Sequence, residues 1–484
     1  MLIHTISRLW APHYILLIGL LCFLIACDSK NENENSTAGM MSGGEEGINL
    51  DDLNSGSDSG TEAGTEAGVE AGAEAGVEAG VEAGTEAGTE AGTEAGTEAG
   101  VEAGTEAICL GGENYGFTKN FQVLTPNAVG PLSSAQLIAT PTEDTWLLAW
   151  LGQGDEGNNH IYIRTLNADF TPAGDVMMLG RAKNGQYQVH STDQSFLLVW
   201  LNQRNGEFVN DGIIMQNIPY DTTAEMPMPI FVNNTFDARS VDSNWSENMG
   251  ILTYSLNTSG VYALLFDSGE IVSETQQLAE GRAREVKVTF GAGSWGVAWF
   301  QQTEMGDDFT FLALNTDLTP LSDAKTIAGT QAKGKLGLAY GNGNYAVAWS
   351  FPDPSSFEST RNIVAFKLLD ETGNEIGGRF VQEGMYDLVV SDLAWLDPSI
   401  FALSWQEIGP EGTVTLGVSR TQALGQALPD FQYQPEAGGL WAEMKLVGHS
   451  SEALAILTYD PSPQASGLFS AESTIQYAPL ASCD

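Results

Sequence analysis

Residues able to do chemistry are sparse in this sequence, and their scarcity narrows the options. Beyond residue 107 the histidines are His160, His190 and His449. They fall in three different segments without ligand-like spacing, so no metal centre is expected. No G-x-S-x-G, H-E-x-x-H, phosphate-binding glycine loop or D-x-D-x-D-G calcium loop occurs. Asp155-Glu156 and Asp307-Asp308 are paired acids that read as solvated turn charges rather than cation ligands. In so acidic a chain some carboxylates fall together by chance, so acids alone do not argue for acid–base catalysis. No cofactor is expected, and the residues lean against an enzymatic activity while leaving that question open.

The bases are the scarcer charge, 19 Lys and Arg against 63 Asp and Glu. Arg181, Lys183, Arg239, Arg282, Arg284, Lys287, Lys333, Lys335 and Lys445 crowd into stretches that lead toward one recurring strand position. One reading is a positive collar that draws an anionic or polar ligand, such as an acidic glycan or a partner's carboxylate. The other is that these bases pair with acids of adjacent repeats and keep an acidic body from repelling itself. Nucleic acid is not an expected partner, because phosphate binding needs a basic surface.

The remaining reactive type is cysteine, and its positions lead to the organisation of the chain. An apolar run of twelve, Ile15–Ala26, follows a polar start carrying Arg8. It is shorter than the ~20 residues a membrane-spanning helix needs and suits a signal-peptide core. It ends in Leu24-Ile25-Ala26-Cys27, which resembles the lipobox of bacterial lipoproteins. The resemblance implies removal of residues 1–26, Cys22 included, and a diacylglycerol and palmitate anchor on Cys27. The expected location is the cell envelope, outside the cytoplasm, in the outer membrane or at the cell surface. Asp28 resembles the inner-membrane retention signal of enteric lipoproteins and keeps that membrane open.

Residues 27–107 read as a disordered acidic tether. Glu recurs every fourth position from Glu62 to Glu106, and Gly from Gly64 to Gly104. Each Gly costs a helix ~1 kcal/mol relative to Ala, the carboxylates would stack on one stripe, and nothing apolar is available to bury. Such a spacer of about 80 residues reaches roughly 50 Å on average, and farther when self-repelling.

The rest, residues 108–484, carries an internal repeat. Trp146-Leu-Leu-Ala-Trp150, Phe196-Leu-Leu-Val-Trp200, Gly250-Ile-Leu-Thr-Tyr254, Trp295-Gly-Val-Ala-Trp299, Tyr345-Ala-Val-Ala-Trp349, Phe401-Ala-Leu-Ser-Trp405 and Ala455-Ile-Leu-Thr-Tyr459 share one pattern, spaced 45 to 56 residues apart. Each run is apolar on both faces of a strand and must be covered from both sides. Each has companions: a short strand before it, such as Gln136–Thr140, and two after it, such as Ile161–Leu166 and Val176–Leu179. Four strands in about fifty residues resemble a propeller blade, which implies an all-β seven-bladed propeller. The G-H…W-D signature of WD40 repeats and the aspartate-box turn of sialidases are absent.

The last repeat stops after a third strand near Ser473–Tyr477, whereas Asn120–Leu124 is a strand without a repeat of its own. The expectation is that the N-terminal strand completes the last blade. Cys109 and Cys483 flank this seam, and an oxidising compartment would allow a disulfide there; two free thiols at the ends are the alternative. Propellers host many unrelated functions, so the fold gives no activity. The expected function is a monomeric, membrane-anchored binding or scaffolding module for an unknown protein or glycan. The alternative is an extracytoplasmic polysaccharide hydrolase or lyase with its site at the channel mouth.

Overall fold

A computed structural model of the chain describes residues 115–117, 122–124 and 132–482, apart from 154–158, 204–210, 222–223, 247–248, 330–332, 354–360, 382–385, 397–399, 410–413, 423–424, 429, 434–440, 449–452 and 461–473. Cys27, the expected signal segment and tether, Cys109, Cys483, His449 and Asp155-Glu156 lie outside the described residues. The described part is all-β, with no helix among the described residues.

Strands β1 (Tyr115–Phe117) and β2 (Gln122–Val123) come first. A first antiparallel unit joins β3 (Leu132–Ala139), β4 (Thr145–Gln153), β5 (Asn159–Asn167) and the start of β6 (Met177–Ser191). The far half of β6 begins a second unit with β7 (Ser195–Asn202), β8 (Gly212–Pro219) and β9 (Ile230–Phe231). The third has β10 (Ala238–Trp245), β11 (Gly250–Leu256) and β12 (Gly260–Asp267), with β13 (Glu270–Ile271) and β14 (Gln276–Ala279) both on β12. The fourth runs β15 (Ala283–Gly291), β16 (Ser294–Thr303), β17 (Gly306–Asn315) and β18 (Lys325–Gly329). The fifth runs β19 (Lys333–Gly341), β20 (Asn344–Pro352), β21 (Asn362–Leu369) and β22 (Glu375–Val381). The sixth runs β23 (Asp387–Leu396), β24 (Ile400–Ile408), β25 (Val414–Gln422) and β26 (Phe431–Tyr433). The seventh has β27 (Trp441–Gly448), β28 (Ala453–Asp460) and β29 (Thr474–Ser482), and both β1 and β2 pair with β29.

The recurring motif is the second strand of each unit, and its two faces enter two different cores. On β4, Trp146, Leu148 and Trp150 pack with Leu454, Ile456 and Ile475 of the last unit. The alternate residues Leu147, Ala149 and Leu151 pack with Val189, Leu198 and Trp200 of the second. Among the described residues every apolar cluster is shared by two units in this way, because a strand with no polar face cannot tolerate solvent on either side. The anchors Trp150, Trp200, Tyr254, Trp299, Trp349 and Trp405 are all buried; the Tyr459 side chain lies outside the described residues.

The sequence expectations shift in two places. The separate strands expected at Val176–Leu179 and Gln188–Ser191 run on as the continuous β6, which crosses from one unit to the next. Its register breaks between Ala182 and Tyr187, where Gly185 takes a left-handed φ of 69° that lets the chain swing without a loop. At the other seam, the orphan segment forms β2, with Gln122 opposite Tyr477 and the Leu124 N–H donating to Ile475 O at 2.8 Å. β1 adds a further pairing, Tyr115 opposite Ser482, that the sequence pattern did not suggest.

Glycine sets how closely units approach. A Cβ built on Gly341 would lie 2.0 Å from the Trp395 ring of the next unit, and one on Gly291 would lie 2.1 Å from Tyr340. Substituting Gly341→Val should therefore destabilise the fold by about 1–3 kcal/mol, since the added side chain overlaps the indole, which packs on the Phe401 ring. Urea unfolding checks this, and an unchanged midpoint would contradict the packing.

Candidate functional site

The first strand of each unit, β3, the far half of β6, β10, β15, β19, β23 or β27, pairs on one side only. Its other edge presents backbone groups that need partners. Each of these strands lies against the next, and β27 lies against β3. Six of the seven carry a register break near their start, between Ser133 and Gln136, Ala182 and Tyr187, Ala238 and Ser240, Arg284 and Lys287, Lys333 and Leu336, and Val390 and Asp392. A bulge of this kind bends the strand and re-aims side chains.

The unpaired edge is satisfied by side chains of the preceding unit. Gln136 Oε1 accepts from the Val189 N–H at 3.2 Å, Gln186 Oε1 from Val241 at 3.0 Å, and Ser240 Oγ from Val286 at 3.0 Å. Asp242 Oδ2 accepts from Val288 at 2.8 Å and Asp392 Oδ2 from Leu446 at 3.0 Å. Between the last unit and the first, Ser134 Oγ donates to Glu443 Oε2 at 3.1 Å.

The same starts of all seven first strands line a cavity of about 140 Å³. Its wall includes Ser134, Gln136, Gln186, Gln188, Glu285, Lys287, Lys335, Ser391, Asp392, Glu443 and Lys445. Asp242, just behind, accepts from Lys287 Nζ at 3.2 Å and from Gln188 Nε2 at 2.6 Å. Lys445 lies 3.5 Å from Asp392, and Lys335 pairs with Glu443. Burial alone would push the Glu443 carboxyl up, but Lys335 and Lys445 outweigh it and hold it at about 2. At Asp242 burial wins, and its carboxyl lies above the usual range although Lys287 opposes the shift. Burial works against charge on Lys445 too, yet Asp392 and Glu443 hold its ammonium above the ordinary value.

Of the nine bases singled out by the sequence, the structure brings Lys287, Lys335 and Lys445 together at the cavity. Arg284 turns instead to Asp307, 2.6 Å away, and stacks on the Phe300 ring; Asp307 is thus an ion-pair partner rather than a solvated turn acid. Lys183 donates to Ala238 O at 3.3 Å, and Arg181 to His160 Nε2 at 3.4 Å. Arg239 and Arg282 are exposed, and the Lys333 side chain lies outside the described residues. His190 is neutral at pH 7, lowered by burial to about 4, with Nε2 2.7 Å from Ser243 Oγ of the next unit. No group of three or more His, Cys, Asp and Glu residues suited to a metal ion occurs among the described residues.

Sequence reasoning missed the carboxylates Asp242, Asp392 and Glu443. The available signal was a polar residue inside an otherwise apolar first strand. It is blurred because the hairpin to the anchor varies, from Gln188 with Trp200 to Glu443 with Tyr459, so only the pairing register aligns these positions.

No protein-family model matches the chain, and no curated protein matches it. Among solved structures it is similar to a prolyl endopeptidase, at 11% identity and TM-score 0.42 over 68% of this chain. It spans about half of that protein, 47% of its length. It is similar to a subtype N11 neuraminidase-like protein of A/flat-faced bat/Peru (H18N11), at 9% identity and TM-score 0.41, over 77% of this chain and 95% of that one. A third is the WD40 domain of SCAP from fission yeast, at 8% identity and TM-score 0.40, over 75% of this chain and 98% of that one.

Replacing Glu443 by Gln isolates the carboxylate among these groups. Its folded value near 2 lies below the ordinary 4.5, so its stabilisation is present above pH 4.5 and fades as pH falls toward 2. Glu443→Gln should cost about 2–3 kcal/mol at pH 7, reduced by the rehydration open to half-exposed Lys335, and progressively less from pH 4.5 downward. A pH series of denaturant melts tests it; a difference that does not shrink in acid would refute the ionised pair.

Proposed function

We propose that residues 108–484 form a seven-bladed propeller that serves as a binding or scaffolding module for a protein or glycan at its axial cavity. Support for a closed ring comes from β1 and β2 pairing with β29, and from the apolar cluster that β4 shares with β28 and β29. The observation that carries the binding reading is the cavity wall itself. Every first strand contributes to it, and its Asp392 and Glu443 carboxylates are engaged by lysines rather than held free as a proton-donating pair. Such convergent polar groups in a concavity suit recognition without turnover.

We further propose that a lipid on Cys27 anchors the chain in the cell envelope, with residues 27–107 as a tether. A Cys109–Cys483 disulfide would secure the seam. The support is the Leu24–Cys27 lipobox, the glutamate–glycine repeat, and the placement of Tyr115 beside Ser482. Cys27→Ser should abolish incorporation of labelled palmitate and release the chain from the membrane fraction. Peptide mapping without reductant should recover Cys109 linked to Cys483, and two alkylated thiols would reject the bridge.

The binding role is tested by passing envelope extract over the immobilised chain. Wild type should retain a protein or glycan whose retention changes in Lys335→Gln, verified as folded by its melting curve. Equal retention by both chains would remove the cavity from the reading.

A further inference from the structure

With Asp242 behind the wall counted, the charges around the axial cavity do not cancel. Lys287 is matched by Asp242, Lys335 by Glu443 and Lys445 by Asp392. Glu285 is left over. It stands half-buried on the wall at the β15 bulge with a left-handed φ of 47°, and among the described residues its carboxylate has no partner. A second group points the same way. Ser391, on β23, is 4% exposed and also lines the cavity, yet its Oγ has no hydrogen-bond partner among the described residues. Buried hydroxyls are seldom left so, because an unmade bond costs free energy.

Glu285 and Ser391 flank β19, which lines the wall between them with Lys335 and Leu336. An incoming group thus meets an unmatched anion and an unmatched hydroxyl. Each oxygen of Asp392 and of Glu443 already accepts one bond and retains a second lone pair. An anion would have to sit beside three carboxylates. A primary ammonium brings one positive charge and three donors, which fits the spare charge and the spare acceptors together. The acidic surroundings favour its approach, as residues 108–484 hold 43 acids against 17 bases.

We infer that the axial cavity receives a primary ammonium group, held by the unpaired Glu285 carboxylate and Ser391 hydroxyl. The inference rests on the binding-module reading and names the chemistry of its ligand. The ammonium comes from a free amine or from a lysine or N-terminus of a protein partner. This reverses the anionic ligand expected from the lysines alone.

Calorimetric titration of the full chain with propylamine, propanol and propionate provides the test. Propylamine should bind at least about tenfold more tightly than either of the others, which share its size but not its charge. Glu285→Gln should weaken propylamine binding by about tenfold, and Ser391→Ala should weaken it measurably, both with unchanged melting curves. Binding of propanol or propionate equal to that of propylamine, no binding of propylamine, or amine binding indifferent to Glu285→Gln in a folded chain would overturn the inference. Parallel titrations with N-acetyl-lysine amide and glycinamide identify the source, since a side-chain or N-terminal ammonium should then outperform propylamine. If an envelope partner is captured equally by wild type and Glu285→Gln, this inference fails and the binding-module reading stands. If amines bind and no partner is captured, only that reading fails.

Discussion

A strand that is apolar on both faces needs a sheet on each side of it, and nearly everything else in this protein depends on that demand. β4 shows the consequence in miniature: odd-numbered and even-numbered side chains of one strand belong to different cores, one facing the following unit and one facing the last. Each unit makes the same demand, and its described apolar residues enter cores shared with two other units. Packing therefore couples units whose sequences lie hundreds of residues apart, as Trp150 and Ile475 do. Close approach follows, and with it the glycines at positions 291 and 341, where any side chain would enter an aromatic ring of the next unit.

Bringing the sheets together in this way creates a second requirement at the first strands. Their free edges face one another across little space, so their N–H groups must find acceptors without a further strand to supply them. Gln136, Gln186, Ser240, Asp242 and Asp392 meet this by reaching to the following unit. Using carboxylates as acceptors brings buried negative charge, and Lys287, Lys335 and Lys445 balance it. The polar lining of the cavity is thus first a structural answer to packing. Glu285 has no such counter-charge and the Ser391 hydroxyl no hydrogen-bond partner among the described residues, and there the ligand is proposed to sit.

The bases illustrate how much of a site can be read from a chain. Their clustering before the first strands was visible, and the idea that they pair with acids of neighbouring repeats matches the geometry of Lys287 and Lys445, whose partners stand on the preceding units. Lys335 departs from it by passing over β23 to reach Glu443 on β27. Arg284 departs further, spending its charge on Asp307 within its own unit. Which partner a long basic side chain takes depends on bulges and on small differences in strand direction, and neither leaves a mark in residue order.

The sequence by itself determined the strand content, the repeat and its length, and the two-sided burial of the motif strands. These follow from local quantities: side-chain hydropathy at a period of two and turn residues. Only the tertiary structure decided that β1 joins β29 beside β2, that β6 serves two units without a break, and that Asp242, Asp392 and Glu443 meet the lysines at a shared cavity. Those outcomes depend on register and on the angle between sheets, which are fixed by contacts between residues far apart in the chain. No local pattern encodes a distance that arises only once distant strands have packed.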